Sequence, residues 1–136
     1  TELGAVMRYP KRVPRTRKAH EAAAYARSAG RGAEMHDAIY HAYWREGADI
    51  GRIDVLSAIG GEAGLDPVSV RIALDVDQWT EQVEQQEAAA KSLGLSAVPA
   101  YVLIADGGTS GVSTARAIRV GMMRYEELRA WMETQT

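Results

Sequence analysis

Residues 93–104 read LGLSAVPAYVLI: a glycine, a short polar step, a Val-Pro pair and an unbroken apolar run. The chain has four prolines, and Pro99 comes directly before this run, its most strand-like segment. Proline donates no backbone hydrogen bond, so a sheet tolerates it at the first residue of a strand. X–Pro bonds are also the common source of cis peptides. The stretch therefore predicts a helix end, a turn with a cis Val98–Pro99 bond, and a buried strand.

Five helices are predicted ahead of this stretch. Apolar residues recur at three- and four-residue steps, the period of an α-helix with one buried face. Thr16 and Asp66 are the expected N-caps of the first and fourth helices, and Pro67 stands at the first helical position of the fourth. The predicted helices cover about 17–29, 33–46, 52–63, a short segment from 67, and a longer segment from Val76 to Leu93.

After the stretch the pattern changes to that of a sheet. Asp106-Gly107-Gly108 is a turn signal, RAIRV at 116–120 alternates as a second strand, and residues 124–133 have the pattern of a final amphipathic helix. The predicted class is therefore α+β. We expect an extended leading segment over 1–15, a helical domain over 16–94 and a β-β-α part over 95–136.

The composition excludes several function classes. The chain has 136 residues, enough for one domain, with a net charge of −2 and no cysteine. It therefore has no disulfide, no thiolate metal site and no thiol chemistry of its own. No apolar stretch approaches the roughly 18 residues of a membrane span, so no membrane partner is expected. The absence of cysteine fits a reducing compartment, and we expect a cytoplasmic location.

The charges are unevenly distributed. Residues 1–31 hold eight Lys and Arg against two acidic residues, whereas the remaining 105 hold eight basic against sixteen acidic residues. A basic segment on an acidic body is compatible with nucleic-acid binding. We favour the alternative that the basic segment folds back onto its own acidic domain, and expect no nucleic-acid partner.

Metal-binding and catalytic patterns are incomplete. HEAAA at 20–24 begins like a zinc-protease motif, but Ala24 stands where the second histidine is required. DVDQWT at 75–80 has two calcium-loop ligands, but Trp79 and Thr80 replace the next ligand and the turn glycine. We therefore expect no metal and no catalytic residue in this chain.

His36, Tyr40 and Trp44 recur at a spacing of four on the second predicted helix. This spacing places all three on one face of the helix. Such a stripe usually packs against another element, with Trp44 at least partly buried, and it is also a candidate interface.

The succession RTRKAHEAAAYARSAG, HAYWREGADIGRIDVLSAIGGEAGLDP and LGLSAVPAYVLI resembles the DsbA-like thioredoxin family over about residues 14–136. It is most similar to the FrnE-type oxidoreductases, next to the hydroxychromene-carboxylate isomerases and kappa-class glutathione transferases. In these proteins a helical domain is inserted between the two halves of a thioredoxin fold. The resemblance implies a partial thioredoxin-like fold with this insertion, a β-hairpin and a C-terminal helix.

The resemblance also implies a substrate site. Pro99 matches the family's cis-proline and Val98 the residue before it, whose backbone pairs with an extended peptide substrate in a form of β-augmentation. Ala97 lies in the same loop. The implied activity is the oxidation or isomerisation of protein disulfides, with a thiol or disulfide protein or peptide as the partner.

The sequence departs from the family at its redox centre, because the Cys-x-x-Cys motif, its strand and its helix have no counterpart here. Without a thiolate no thiol–disulfide exchange takes place, so we expect the chain alone to be inactive. We expect it to be a portion of a longer protein that lacks the N-terminal redox half; the alternative is a short relative that has lost this half.

Two further readings remain open. The same fold branch includes glutathione-dependent isomerases and transferases, for which glutathione is the cofactor; otherwise we expect none. A non-catalytic module that binds peptides is the alternative from another class. In each case the strand at 100–104 needs a second neighbour. The missing half, the segment Leu3–Tyr9 or a second copy in a homodimer would supply this strand.

Overall fold

The computed structural model of this protein describes residues 7–8, 11–104 and 115–135. Within these ranges the chain forms six α-helices, one π-helical turn and one antiparallel pair of strands, which confirms the predicted α+β class. The elements are α1 Arg17–Ser28, α2 Gly32–His41, the π-turn Ala42–Glu46, α3 Ile53–Glu62, α4 Pro67–Asp75, α5 Thr80–Ser92, β1 Ala100–Ile104, β2 Ala115–Val120 and α6 Tyr125–Glu133.

The chain divides into two compact units, of which unit 1 ends at Glu84 and unit 2 begins at Gln85, inside α5. The predicted domain bounds, which divide the chain after residue 94, stay a prediction. The predicted turn Asp106-Gly107-Gly108 lies outside the described residues. So does the candidate strand Leu3–Tyr9, apart from Met7 and Arg8, which belong to no strand.

Two predicted helices differ from the structure. The second is α-helical only to His41 and continues as the π-turn. The fifth begins at Thr80 rather than at Val76, which is 64% exposed. The reason is Asp77, whose φ of 54° is incompatible with a continuing right-handed helix.

The two predicted N-caps behave differently. The Asp66 side chain accepts hydrogen bonds from the backbone N–H groups of Val68 and Ser69, as the sequence predicts. Thr16 occupies the N-cap position of α1, but its side chain makes no capping hydrogen bond. Its backbone is already helical, with φ −84° and ψ −5°, whereas a capping side chain normally starts from an extended residue.

The core of unit 1 lies among its helices. Met35, Leu56 and Val70 are fully buried, and each contributes roughly 2 kcal/mol by leaving water. Gly60 of α3 allows a close approach to α4, since a Cβ there would lie 2.8 Å from Cγ2 of Val70. The predicted alanine face of α1 is buried at Ala19, Ala22 and Ala26, partly buried at Ala23 and exposed at Ala29, which lies beyond the end of the helix.

A buried carboxylate on the same helix is absent from the sequence predictions. Glu21 is only 1% exposed and accepts hydrogen bonds from Lys18 Nζ at 2.8 Å and from Thr80 Oγ1 at 3.0 Å. Lys18 also donates to the Leu74 carbonyl at 2.8 Å and to Asp77 Oδ1 at 2.5 Å. This Lys18 network joins α1 to the end of α4 and the start of α5.

The network stabilises the charged forms of Lys18 and Asp77. Burial opposes the charge on Lys18, but the hydrogen bonds and the negative charges of Asp77 and Glu21 outweigh it, so the pKa of Lys18 is raised. The hydrogen bond from Lys18 is the main reason that the pKa of Asp77 is lowered. The paired charges therefore favour the folded chain at neutral pH.

Unit 2 has a different character. β1 pairs antiparallel with β2 in a register that runs from Ala100 opposite Val120 to Ile104 opposite Ala115, with an irregularity between Leu103 and Ile104. All five side chains of β1 are half-buried. Every buried apolar side chain among the described residues lies between Ala19 and Val83, so the described part of unit 2 has none.

None of the helices in the described ranges is both long enough and apolar enough to cross a membrane.

We expect Glu21→Ala to lower the free energy of unfolding by about 3 kcal/mol, because it leaves Lys18 and Thr80 without their buried partner. Urea unfolding followed by circular dichroism measures the change. Glu62→Ala is the matched control, since Glu62 is an exposed helical glutamate, and we expect a change within about 0.5 kcal/mol. Equal effects of the two substitutions would contradict the structural role of Glu21.

We expect the stability of unit 1 to fall as the pH is lowered through about 4 and below. A carboxyl with a lowered pKa in the folded chain stabilises it above the unfolded pKa, and this contribution is lost as the pH falls through the folded pKa. Asp77 is such a group, and the hydrogen bond from Arg52 lowers the pKa of Asp54 to about 2. Urea midpoints between neutral pH and about pH 2 measure the loss. The dependence should be shallower in Asp77→Asn, and an unchanged profile would contradict this assignment.

Candidate functional site

The loop before β1 is held at both of its ends. Gly94 ends α5 with a φ of 73°, and the Leu95 N–H donates to the Ala90 carbonyl at 3.1 Å. The Val98–Pro99 bond is cis, as the sequence analysis expects, and β1 begins at the next residue. The Gly121 N–H, directly after β2, donates to the Pro99 carbonyl at 2.8 Å. The loop is therefore attached to the end of β2.

The three predicted substrate-binding residues lie together in this loop. Ala97 is exposed, the Val98 side chain is 90% exposed, and Pro99 is half-buried at the start of the strand. An aliphatic side chain with this exposure adds nothing to the core, so it is accessible to a ligand. The structure thus presents Val98 at the surface, and its contact with a substrate stays a prediction.

The strand that follows has one unpaired edge within the described part of the chain. β1 pairs with β2 on one side, and no other described strand pairs with it. Charged residues and proline normally protect an exposed edge from pairing, and the β1 sequence AYVLI contains neither. β2, by contrast, carries Arg116 and Arg119. The open edge of β1 therefore suits the addition of another strand.

The second predicted site is a groove on unit 1. The ring centroids of His36 and Tyr40 lie 4.5 Å apart in a stacked arrangement, and Trp44 is half-buried with its ring edge-on to Tyr43. These three residues of the predicted stripe line one cavity of ≈ 560 Å³ together with Met7, Asp37, His41 and Arg45. We call it the aromatic groove. Its far end is the π-turn, a geometry found frequently at functional sites.

Polar side chains form the second row of this groove. Asp37, His41 and Arg45 follow one another at a spacing of four, beside the aromatic row. His41 Nε2 lies 3.7 Å from Glu46 Oε1. Asp37 and Arg45 form no ion pair with any residue in the described ranges. The groove thus offers an aromatic surface with a carboxylate toward one end and a guanidinium toward the other.

The described residues contain no cluster of histidine and acidic side chains suited to a metal ion. Two members of the rejected calcium pattern have another role, because Asp77 and Thr80 bind Lys18 and Glu21. The sequence has no cysteine, so neither the loop nor the groove contains a thiol.

Sequence reasoning missed the polar row of the groove and the buried Glu21. The sequence contains a signal for Asp37 and Arg45, because each directly follows a residue of the aromatic row, His36 and Trp44 respectively. Glu21 had a signal as well, because it is a charged residue inside the alanine face of α1, three positions after Lys18. The contribution of Met7 to the groove has no signal in the sequence, since it depends on where the leading segment lies.

We expect Gly121→Ala to loosen the loop, because Gly121 has a φ of 103° that an L side chain rarely adopts, although its Cβ would meet no atom within 4 Å. The strain costs about 1–2 kcal/mol and opposes the hydrogen bond to the Pro99 carbonyl. Hydrogen exchange measures the effect as a roughly tenfold faster exchange of the amide of residue 121. Ser96→Ala, at an exposed position of the same loop, is the control, and comparable rates in both variants would contradict the prediction.

Comparisons with known proteins agree with this architecture. The sequence profile of the DSBA-like thioredoxin domain matches residues 2–130. The chain is 28% identical over 105 residues to the uncharacterized protein YwbO of Bacillus subtilis (strain 168), a match that covers 75% of this chain and 52% of the relative. The chain thus spans about half the length of the curated relative that it matches. Since the profile covers nearly all of its residues, the chain belongs to the DSBA-like thioredoxin family.

Proposed function

We propose that this chain is the substrate-binding portion of a thiol–disulfide oxidoreductase that oxidises or isomerises protein disulfides. In this proposal Ala97, Val98 and Pro99 bind an extended segment of a thiol or disulfide protein, and the redox cysteines are supplied by polypeptide outside these 136 residues. The observation that carries the proposal is the surface position of Val98, 90% exposed beside the open edge of β1, in a chain of this family.

The chemistry explains why the loop is the relevant site. Thiol–disulfide exchange needs a thiolate that attacks a disulfide sulfur, and this chain has no cysteine. It also needs the substrate strand to be held in an extended form beside the attacking sulfur. An exposed loop that continues into an unprotected strand edge suits the second task, because backbone hydrogen bonds bind extended peptides with little regard to sequence. We therefore assign binding to this chain and electron transfer to its missing partner.

Two features support a longer functional unit. The chain spans 52% of its relative, which leaves room for a second half of similar size. The described part of unit 2 has no buried apolar side chain, although β1 is apolar throughout and α6 carries the half-buried Leu128 and Trp131. An isolated pair of strands is marginal in water, so these surfaces suit a covering partner. We propose the N-terminal redox half of a FrnE-type protein as this partner; a second copy in a homodimer is the alternative.

Function within a fold family is decided by the site, so the glutathione-dependent isomerases and transferases of the same branch remain the alternative reaction class. A cytoplasmic location is proposed only from the absence of cysteine. A module that binds peptides without chemistry is favoured by the same exposed loop, and differs in needing no redox partner.

The binding step is tested by titrating the full chain with a ten-residue peptide that carries a blocked cysteine between alternating apolar residues. We expect amide chemical-shift changes at residues 97–104 at about millimolar peptide, with little dependence on salt. Val98→Asp should weaken binding about tenfold, because it places a charge against the peptide backbone. Val68→Asp is the matched control, since Val68 is 63% exposed on α4.

The outcomes distinguish the proposed substrate site from the alternative functions. No shift change at residues 97–104, or equal effects of the two substitutions, contradicts the proposed substrate site. Shifts with glutathione but not with the peptide favour the glutathione-dependent class. A steep salt dependence of binding to an oligonucleotide favours the nucleic-acid reading. The chain alone should not catalyse insulin reduction by dithiothreitol, and turnover above the buffer rate would overturn the assignment of electron transfer to a partner.

A further inference from the structure

The described basic residues before α1 lie along the helical unit. We call Met7, Arg8 and Lys11–Arg15 the arm. A Cβ on Gly51 would lie 3.0 Å from the Arg15 carbonyl, so the arm passes close to the backbone there. Arg8, Lys11 and Arg12 share a cavity of ≈ 350 Å³ with the segment 46–49. Met7 lines the aromatic groove.

These contacts follow one register. From Arg15 back to Met7, the arm meets Gly51, then residues 46–49, and finally the groove that ends at Arg45. The residue numbers decrease together in the arm and in the segment that it contacts. The arm therefore runs in the same direction as the π-turn and the loop after it. A progression over three successive contacts is typical of a docked segment, because an accidental contact fixes a single point.

The last contact combines a backbone hydrogen bond with a side-chain anchor. The Arg8 N–H donates to the Trp44 carbonyl at 2.6 Å. This bond attaches the arm directly to the backbone of the π-turn. Met7, one residue earlier, lines the groove together with the aromatic residues, and methionine sulfur interacts favourably with aromatic rings.

Charge supports the same placement. Arg8, Lys11 and Arg12 bring three positive charges to a cavity whose other charged residues are Glu46 and Asp49. These carboxylates also lie at the C-terminal end of the π-turn, where the aligned peptide dipoles favour cations. The basic arm therefore meets a surface of opposite charge on its own chain.

We propose that the aromatic groove is a docking site for this chain's own arm, with Met7 as the anchor and the Arg8 N–H as the backbone tether. The ligand class of the groove is an extended peptide segment in which a thioether or aliphatic side chain precedes a free N–H. Met7 remains 50% exposed, so the anchor contact is shallow and the arm is a detachable strap. If the proposed function holds, this strap fixes where the redox half joins the helical unit; the docking itself does not depend on that function.

Hydrogen exchange of the Arg8 amide in the full chain, measured by NMR, tests the anchor. Met7→Asn removes the thioether contact, and we expect the Arg8 amide to exchange about fivefold faster. Met122→Asn is the matched control, because Met122 is 87% exposed and lies outside the groove, and it should change the rate by less than about twofold. An Arg8 amide that exchanges at the unprotected rate in the unsubstituted chain overturns the proposal.

The groove side is tested with Tyr40→Ala against Tyr125→Ala, since both tyrosines are largely exposed, at 55% and 73%. Only the first should accelerate Arg8 exchange, and the double variant with Met7→Asn should exchange no faster than either single variant, because both remove one interaction. Additive effects, or equal effects of the two tyrosine substitutions, overturn the proposal. Circular dichroism checks the fold, and Met7→Asn still decides the question if Tyr40→Ala unfolds.

Dilution of the protein distinguishes an arm that docks on its own chain from an arm that docks on a second copy. Protection of the Arg8 amide that is independent of protein concentration supports docking within one chain. Protection that disappears as a dimer dissociates assigns the arm to a second copy and overturns the proposal. Because none of these measurements involves thiol chemistry or peptide binding at Val98, their outcome is independent of the tests of the proposed function.

Discussion

The buried carboxylate of Glu21 is the interaction on which the architecture of unit 1 depends. It receives hydrogen bonds from Lys18 on its own helix and from Thr80 at the start of α5, while Lys18 reaches the Leu74 carbonyl and Asp77. A buried charge without partners costs several kcal/mol, so this set of partners has to form together. The turn at Asp77 and the start of α5 at Thr80 follow from that requirement.

The second constraint is the lack of cysteine combined with an exposed Val98-Pro99 loop. An exposed Val98 side chain and an uncharged open edge of β1 suit the proposed binding of an extended polypeptide. The same chain has no thiol. Under the proposed function, binding and chemistry are therefore separate tasks, since the loop needs only backbone geometry whereas exchange needs a thiolate. The aromatic groove adds a further peptide-binding surface, which the chain's own arm partly covers.

Features that depend on neighbouring residues were predictable from the sequence. The strand over 100–104, the Asp66 cap, the helical bounds of α1, α3 and α6 and the family all follow from local periodicity, turn chemistry and motif order. The start of α5 did not, because Val76 and Trp79 continue the helical period while Asp77 takes a φ of 54° to meet Lys18, 59 positions earlier in the chain. The π-turn was not predictable from the sequence either, because the four-residue spacing of the aromatic row continues unchanged from Tyr40 in α2 to Trp44 in the π-turn.

The sequence by itself determined the class of the fold, the family, the position of the Val98-Pro99 loop and the absence of cysteine, because each depends only on adjacent residues, motif order or composition. Only the tertiary structure decided that Glu21 is buried, that Asp77 and Thr80 serve Lys18 and Glu21 rather than an ion, and that Met7 completes the aromatic groove. These features join residues from 29 to 59 positions apart, as in Met7–His36 and Lys18–Asp77. The physical reason is that a polar or apolar side chain acquires its partner only when helices pack, and packing is a property of the whole chain.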